Sequence, residues 1–429
     1  MYTEYEAMDF ITENDVEFIR LQFCDILGNL KNTSIMAAEL PKAFQTGISF
    51  DASNVKGFST VDQSDLFLVP DPASLAVLPW RPQQGGVVRF LCDVKKADGT
   101  VYEADSRQIL KRSLQKAKKL GYDFMVGPEC EFYLFETDEF GKPSLKPHDT
   151  ASYYDVAPLD KGENVRRSIC LTLKKMGITV ESSHHESGPG QHEIDIKYSD
   201  GLTAADQFIT LKAVINAIAQ QNGLYASFMP KPMDGISGNG LHINMSLKKG
   251  GINVFGNGDP TPEAKAFIAG ILAHIKGICL FTNPLVNSYK RLLSGFEAPR
   301  YISWSHQNRS QLVRIPDAHG EDHRMELRCP DPRTNPYLSF ALLLEAGLYG
   351  IQNNLELPRE VRLDLYQKNQ QMPEPLPSNL KEALQAAAEN ELIQKVLGKK
   401  VFEKYAAIKQ KEWESYQATV SEWEIKHYF

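Results

Sequence analysis

The sequence predicts a chain of mixed helices and strands in two parts, a small mixed α/β domain followed by a larger unit. Three observations predict it. Short apolar runs broken by turn signals fill the region before Lys95. The polar stretch Lys95-Lys96-Ala97-Asp98-Gly99 then has the composition of a linker. Beyond it, strand-like runs alternate with helical patterns as far as about Pro332.

Taken in order, Phe18-Ile19-Arg20-Leu21-Gln22-Phe23 and Val87-Val88-Arg89-Phe90-Leu91-Cys92-Asp93-Val94 read as strands. Between them, Asp71-Pro72, Pro79 and Arg81-Pro82 interrupt any long helix. A helix is expected from about Asp105, with Ile109, Leu110, Leu114, Ala117 and Leu120 on one face and Gly121 as its stop. The apolar, aromatic run Glu129-Cys130-Glu131-Phe132-Tyr133-Leu134-Phe135, bounded by Gly127-Pro128, reads as a buried strand. Residues 204–219 form a helical pattern. Asn335-Pro336 opens a helix whose continuation, 337–344, is apolar nearly all round and therefore buried. Pro373, Pro375 and Pro377 mark a loop before a charged, helical C-terminal region.

The 429 residues allow two or three domains, and a 42% hydrophobic, 24% charged composition is that of an ordinary soluble protein. A formal net charge of -7 argues against a dedicated nucleic-acid binder. The acidic start, Met1-Tyr2-Thr3-Glu4-Tyr5-Glu6, lacks a signal-peptide design, and no uninterrupted apolar run approaches membrane-spanning length. The six cysteines are far apart with no CxxC pair, which suits buried reduced thiols in a cytoplasmic protein.

Chemistry begins at Glu129 and Glu131. Side chains alternate along a strand, so both carboxylates face one side of a buried sheet. There they need cations, or one must hold a proton. Further segments repeat the pattern. His184-His185-Glu186 and Gln191-His192-Glu193 flank a Gly188-Pro189-Gly190 turn, after which Gln191, Glu193 and Asp195 share a face. His242, Asn244 and Ser246 share another, opposite Leu241, Ile243 and Met245. Arg324, Glu326 and Arg328 alternate with Met325 and Leu327. Asn287-Ser288-Tyr289-Lys290-Arg291 and residues 307–314 add arginines between turn-like stretches. Each piece has a plainer reading, as an exposed face, a turn or an ion-pair ladder. Their repetition on several apolar strands favours an oxygen-rich divalent-metal site suited to magnesium or manganese, with arginines for phosphate or carboxylate. No Gly-rich Gly-Lys-Ser/Thr phosphate loop is present. From the residues alone, the reading is a divalent-metal enzyme acting on phosphate or carboxylate.

At these residues the chain resembles type I glutamine synthetase, in its short, non-adenylylated subtype, nearly end to end. The matching motifs are Phe50-Asp51-Ala52-Ser53, Asp71-Pro72 with Pro79-Trp80, Gly127-Pro128-Glu129-Cys130-Glu131-Phe132, and His185-Glu186 through His192-Glu193. Asn287 through Leu292, Phe296-Glu297-Ala298-Pro299, Asn308-Arg309-Ser310, Pro330-Asp331-Pro332 and Asn335-Pro336-Tyr337 continue the set, with Glu412-Trp413 and Trp423-Glu424 in the tail. The resemblance implies an α+β fold: an N-terminal β-grasp-like domain (14–97) and a C-terminal catalytic domain (103–429) with a curved antiparallel sheet flanked by helices. It implies a dodecamer of two hexameric rings with active sites between subunits. It also implies glutamate–ammonia ligase chemistry through γ-glutamyl phosphate, using ATP and two or three magnesium or manganese ions per site.

Carried over by motif, Glu131, Glu186 and Glu193 resemble one metal's ligands, and Glu129, His242 and Glu326 the other's. Arg291 and Arg328 match glutamate-carboxylate contacts, with Ser237 and Gly238 in the loop beside the substrate. Arg309 and Arg324 match stabilisers of the transferring phosphoryl group, and Glu181, Ser246 and Arg314 the nucleotide pocket. Glu297 matches a flap carboxylate. Asp51, from a neighbouring subunit, matches the group that deprotonates ammonium in a pocket completed by Ser53, Tyr153 and Glu186. Tyr366, followed by Gln367-Lys368-Asn369, reads as a structural tyrosine rather than an adenylylation site.

Three departures stand out. The ammonium loop reads Asp51-Ala52-Ser53-Asn54 where Asp-Gly-Ser-Ser is usual, and Ser237 replaces an asparagine. These keep open an alternative, a relative that joins glutamate to an organic amine. A catalytically silent subunit would have lost ligands or arginines that are all present here. Thr60 stands where the short subtype commonly carries an arginine linked to glutamine feedback. Weak or differently wired glutamine inhibition is therefore expected, and an inhibition curve of ordinary potency would remove that expectation.

Overall fold

The computed structural model describes residues 2–80, 85–256, 259–293, 297–367 and 372–429. Arg81-Pro82, Phe296 and Lys368-Asn369, which the sequence reading used, lie outside the described residues. The first domain is a six-stranded mixed sheet in the order Leu30–Met36, Val16–Cys24, Gly86–Lys95, Asp65–Pro70, Ile48–Asp51, with Ala76–Val77 paired to Gly86–Lys95. Its two central strands, the pair expected from their apolar runs, are parallel, and the outer pairings are antiparallel. Ile19, Leu21, Val88 and Phe90 are fully buried between this sheet and its covering segments. This is the expected β-grasp arrangement.

The helix predicted from Asp105 is Ser106–Lys119, with the Asp105 carboxylate accepting from the amides of Arg107 and Gln108 as N-cap. Gly121 follows at φ +87°, a left-handed conformation that suits glycine. Arg107 in the helix's first turn is the main electrostatic tie between the two domains. It pairs with Asp71 at 2.9 Å and Asp93 at 3.0 Å in the first domain, and with Asp206 at 2.8 Å on helix Gly201–Gln221. Asn335 adds a neutral tie, its amide donating to the Ile26 carbonyl at 3.1 Å.

The second sheet is built on one long strand, Tyr122–Thr137. The chain passes straight through Gly127-Pro128 rather than starting there. Pairing on one flank runs from Gln191–Ile196 up to Asp195 opposite Glu129, then resumes with Ser199 opposite Val126. Pro128 sits in that break, so its missing N–H removes no ladder hydrogen bond on that side. The main path of this eleven-stranded sheet runs Trp304–His306, Val313–Ile315, Met325–Leu327, Leu241–Lys249, Tyr122–Thr137, Gln191–Ile196, Val180–His185. All pairings along it are antiparallel except the first.

Helices cover its back. Pro336–Gln352, capped by Asn335 as the sequence suggests, is buried along 336–346. It packs on Pro262–Thr282 so closely that a Cβ on Gly350 would lie 2.0 Å from the Ala266 carbonyl and one on Gly270 2.1 Å from that of Ala346. Among the described residues, Pro262–Thr282 is the one helix long and apolar enough to cross a membrane, and 78% of its apolar window is buried in this protein. The Asn287–Arg291 stretch, expected between turns, is instead the helix Val286–Leu293, whose buried Ser288, Tyr289, Arg291 and Leu292 form one inward face. All six cysteines are free, and only Cys170 is not fully buried.

Arg107→Met would leave Asp71, Asp93 and Asp206 without their shared cation. Removing one partner of a buried ion pair costs about 3–5 kcal/mol. A lowered melting temperature by calorimetry is the expected outcome, and an unchanged one would show that Lys111 alone neutralises the node.

Candidate active site

Strand register assembles the site. Glu131 lies opposite Glu193, and Glu129 lies between Asp195 on one neighbouring strand and His242 on the other. Glu193 in turn lies opposite His184, Asn244 opposite Glu326, and Glu326 opposite Arg314. The alternation read from the sequence thus becomes two adjacent rows of acids crossing several strands.

Ligand-type atoms converge in these rows. Those of Glu129, His242 and Glu326 lie within 4.8 Å of one another, as do those of Glu131, Glu193 and His242. His242 bridges the two sets, its Nδ1 3.0 Å from Glu129 and 3.6 Å from Glu326, its Nε2 3.9 Å from Glu131. Glu186, expected with Glu131 and Glu193, belongs to neither set; its Oε1 lies 3.7 Å from His184 Nδ1 and its Oε2 accepts from the Ser187 amide at 2.9 Å. A further set, His184, Glu193 and Asp195, adjoins it. Carboxylates with one shared imidazole fit magnesium or manganese better than softer metals.

The two halves of the cluster differ in charge balance. Burial opposes ionisation of Glu129, but hydrogen bonds and charge from His242, with Asn244 and Arg328, outweigh it and hold its pKa down at about 2. Glu326 is likewise buried yet lowered, because Arg328, His242 and Arg314 surround it. On the other side, burial and then the charge of Glu131 push Glu186 up to about 8. Burial and Glu129 raise Asp195 to about 8. Glu193 is raised well above the carboxylate range by burial and by Asp195, Glu131, Glu129 and Glu186. This half lacks the cationic charge it needs.

The remaining predicted residues sit around the cluster. Glu129, Glu181, Ser246 and Arg324 line one cavity of about 220 Å³, together with Asp195 and Asn244. Arg324 Nε donates to Asn244 Oδ1 at 2.8 Å, and Asn244 Nδ2 donates to Glu129 at 2.7 Å, so the arginine is tied to the acid row. Arg314 and Arg328 both contact Glu326. Arg291 donates to the carbonyls of Cys329 (2.7 Å), Pro330 (3.1 Å) and Arg328 (3.1 Å). Its guanidinium leaves no room for a Cβ on Gly240, which would lie 2.7 Å away, and its aliphatic stem crowds Gly238. Glu297 is exposed at φ +55°, with its carbonyl 3.5 Å from Arg328 Nη2. Tyr153 packs edge-on against His184 and Tyr154. Arg309 is exposed, and its carbonyl accepts from the Tyr366 hydroxyl at 3.1 Å.

Asp51 and Ser53 are on the other domain. The exposed Asp51 accepts from Ser53 (2.6 and 2.9 Å) and Asn54 (2.8 Å), and no hydrogen bond or ion pair among the described residues joins it to the cluster. The sequence reading noted the facing of Gln191, Asp195 and Asn244 without giving them roles. Their place in the same alternation as Glu193 and His242 was the signal for including them.

Comparison with known proteins settles the family. A model described as glutamine synthetase, catalytic domain, matches residues 103–428, and one described as glutamine synthetase, beta-Grasp domain, matches residues 15–97. The chain belongs to the glutamine synthetase family. It is 50% identical to a glutamine synthetase of Clostridium saccharobutylicum, over 100% of this chain and 98% of that protein. It is 45% identical to one of Methanosarcina mazei, over 99% and 97%. Among solved structures, it resembles GmaS in complex with ADP (TM-score 0.90, 32% identity, 98% of this chain and 99% of that one). It also resembles Plasmodium falciparum glutamine synthetase (TM-score 0.90, 25% identity, 100% and 99%). For a glutamine synthetase, paired acid rows on one sheet face are the expected setting for divalent metal and ATP.

The charge imbalance predicts pH behaviour. Glu186 and Asp195 have pKa values raised above their unfolded ones, so their contribution to stability is full below about 4 and is lost as pH rises through about 8. The metal-free protein should melt lower at pH 8.5 than at pH 6, and added Mn2+ should reverse the loss. Metal binding below pH 8 should also release protons, seen as buffer-dependent heat in calorimetry. Proton-neutral binding at pH 7 would contradict the assignment.

Proposed function

We propose that the protein is an ATP-dependent glutamate–ammonia ligase, with the register that stacks Glu193, Glu131, Glu129, His242 and Glu326 across adjacent strands as the observation that carries the reading. Glu131, Glu186 and Glu193 would hold one divalent ion, with His242 close enough to share it, and Glu129, His242 and Glu326 a second. When bound, such ions neutralise the phosphate and carboxylate oxygens and order them for transfer. Their oxygen-rich donor set supports magnesium or manganese.

The chain's own residues would do the rest. Glu181 and Ser246, on the walls of the cavity beside Glu129, would orient the nucleotide. Arg291 and Arg328 would receive the glutamate carboxylates, beside the loop that contains Ser237 and Gly238. The side-chain carboxylate of glutamate attacks the terminal phosphorus of ATP, and ADP leaves. Arg309 and Arg324 would spread the charge of the transferring group, with Arg314 serving the nucleotide. Ammonia then attacks the acyl carbon of γ-glutamyl phosphate and expels phosphate, with Glu297 closing over the site and taking a proton.

Asp51 would bind ammonium and remove its proton, in a pocket with Ser53, Tyr153 and Glu186. Among the described residues its carboxylate bonds only to Ser53 and Asn54 of its own loop, which supports service to a neighbouring subunit's site and a ring-shaped dodecamer. The free, mostly buried thiols support a cytoplasmic location. Retention of Asp51, Tyr153 and Glu186, a cage suited to a small cation, speaks for ammonium over an organic amine, as do the full-length relatives named glutamine synthetase.

The decisive experiment is phosphate release with glutamate, ATP and Mg2+, comparing ammonium with alkylamines and polyamines. Ammonium should be strongly preferred, and Asp51→Ala should lower that rate by about 10²–10⁴-fold while an added amine restores nothing. Preference for an amine would overturn the ammonium pocket.

A further inference from the structure

Gln191 is fully buried, one residue beyond the Gly188-Pro189-Gly190 turn and two before Glu193. Its carboxamide is used at both ends. Nε2 donates to Glu131 Oε2 at 3.1 Å and to the Gly238 carbonyl at 3.0 Å, with Asn239 Oδ1 at 3.4 Å. Oε1 accepts from the Gly188 amide at 3.0 Å. Tyr133, equally buried and paired with Gln191 across the strands, donates its hydroxyl to the Ser237 carbonyl at 2.6 Å and lies 3.3 Å from Gln191 Oε1. The turn closes directly on this pair, since a Cβ on Gly188 would sit 2.0 Å from the Tyr133 hydroxyl.

We propose that Gln191 is a positioning residue that holds the ligand Glu131 and the substrate loop 237–239 in one fixed relation, with Tyr133 as its second arm. The proposal rests on the ligase reading above, which places the metal at Glu131 and glutamate beside that loop. Three parts of the site that come from distant stretches of chain meet at this one side chain: the acid strand, the turn between Glu186 and Glu193, and the loop that packs on Arg291.

The chemistry of the side chain explains why an amide stands there. Glu131 Oε2 takes one hydrogen bond from the Gly240 amide at 2.8 Å and one from Gln191, which fixes the carboxylate with Oε1 on the His242 side. A glutamate at 191 would lack the donor and set a second negative charge against Glu131. A methionine would fill the space but take from the buried Gly238 carbonyl and Gly188 amide the partner that Gln191 gives them. Neither Gln191 nor Tyr133 lines the cavity between Glu129, Glu181 and Ser246, so their influence should fall on the glutamate side.

The test uses the full chain in its assembled form, with Gln191→Met and Tyr133→Phe as variants. Glutamate and ATP are varied separately in the phosphate-release assay, and Mn2+ binding is titrated calorimetrically without nucleotide. Loss of a hydrogen bond to a charged or buried group predicts that Gln191→Met raises the glutamate KM by about tenfold, leaves the ATP KM within about twofold, and weakens Mn2+ binding. Tyr133→Phe removes the bond to the Ser237 carbonyl and the 3.3 Å contact with Gln191 Oε1 but leaves Gln191 Nε2 on Glu131, so it should raise the glutamate KM and leave Mn2+ affinity unchanged. Equal rises in both KM values, or an unchanged glutamate KM in folded Tyr133→Phe, would overturn the proposal even if Gln191→Met fails to fold. A wild-type protein that turns over no amine would sink the ligase reading instead, and the Mn2+ titration would still decide whether Gln191 holds Glu131.

Discussion

The constraint on which the catalytic unit depends is electrostatic: strand pairing places Glu129, Glu131, Glu193 and Asp195 on one face, and burial takes most of their water away. Carboxylates so placed must find cations or keep protons. Nearly every polar feature nearby answers that demand. His242 sits between the rows, Arg314 and Arg328 close on Glu326, and Asn244 links Glu129 to Arg324. On the back of the sheet, the apolar helices Pro262–Thr282 and Pro336–Gln352 pack with glycines at their contact.

Much of this was legible in the sequence, because period-two alternation survives folding. Glu193 and Asp195, His242 and Asn244, and Glu326 and Arg328 each sit on the face that their spacing assigns. Caps were equally legible: Asp105 and Asn335 begin helices where their side chains can accept from the first free amides. Three features were not, two of them because the deciding partner is remote in sequence. Pro128 looks like a strand boundary until the break between its neighbours' pairings is known. The 287–291 stretch looks turn-like because its polar residues hide an inward face completed by Arg291. Arg107 looks like an ordinary helix residue, and only the tertiary fold brings Asp71, Asp93 and Asp206 around it.

The family resemblance supplied roles where geometry within one chain supplies only positions. Asp51 illustrates the gap. Its carboxylate is held ready by Ser53 and Asn54, with its pKa lowered by those hydrogen bonds, yet it faces solvent in its own chain. A side chain kept ionised and pre-oriented on an exposed loop is what a site completed across a subunit boundary requires. In the proposed ligase, an isolated chain would carry the metal ligands and still lack its base.

The two halves of the acid cluster, finally, are prepared differently. The Glu129–His242–Glu326 half already contains compensating charge, so its carboxylates stay ionised without any ion present. In the Glu186–Glu193–Asp195 half burial and the neighbouring carboxylates raise the pKa values, which favours protonated carboxyls, and among the described residues no arginine or lysine ion-pairs with these three. An incoming cation must displace protons on that side but not on the other. The half beside the cavity lined by Glu181 and Ser246 is therefore pre-organised, whereas the half proposed to face glutamate and ammonium is organised by what binds it. In the proposed ligase that division would set the tunable step next to the ammonium side. There a cation would be both the cofactor that discharges the carboxylates and, as ammonium, the substrate they select.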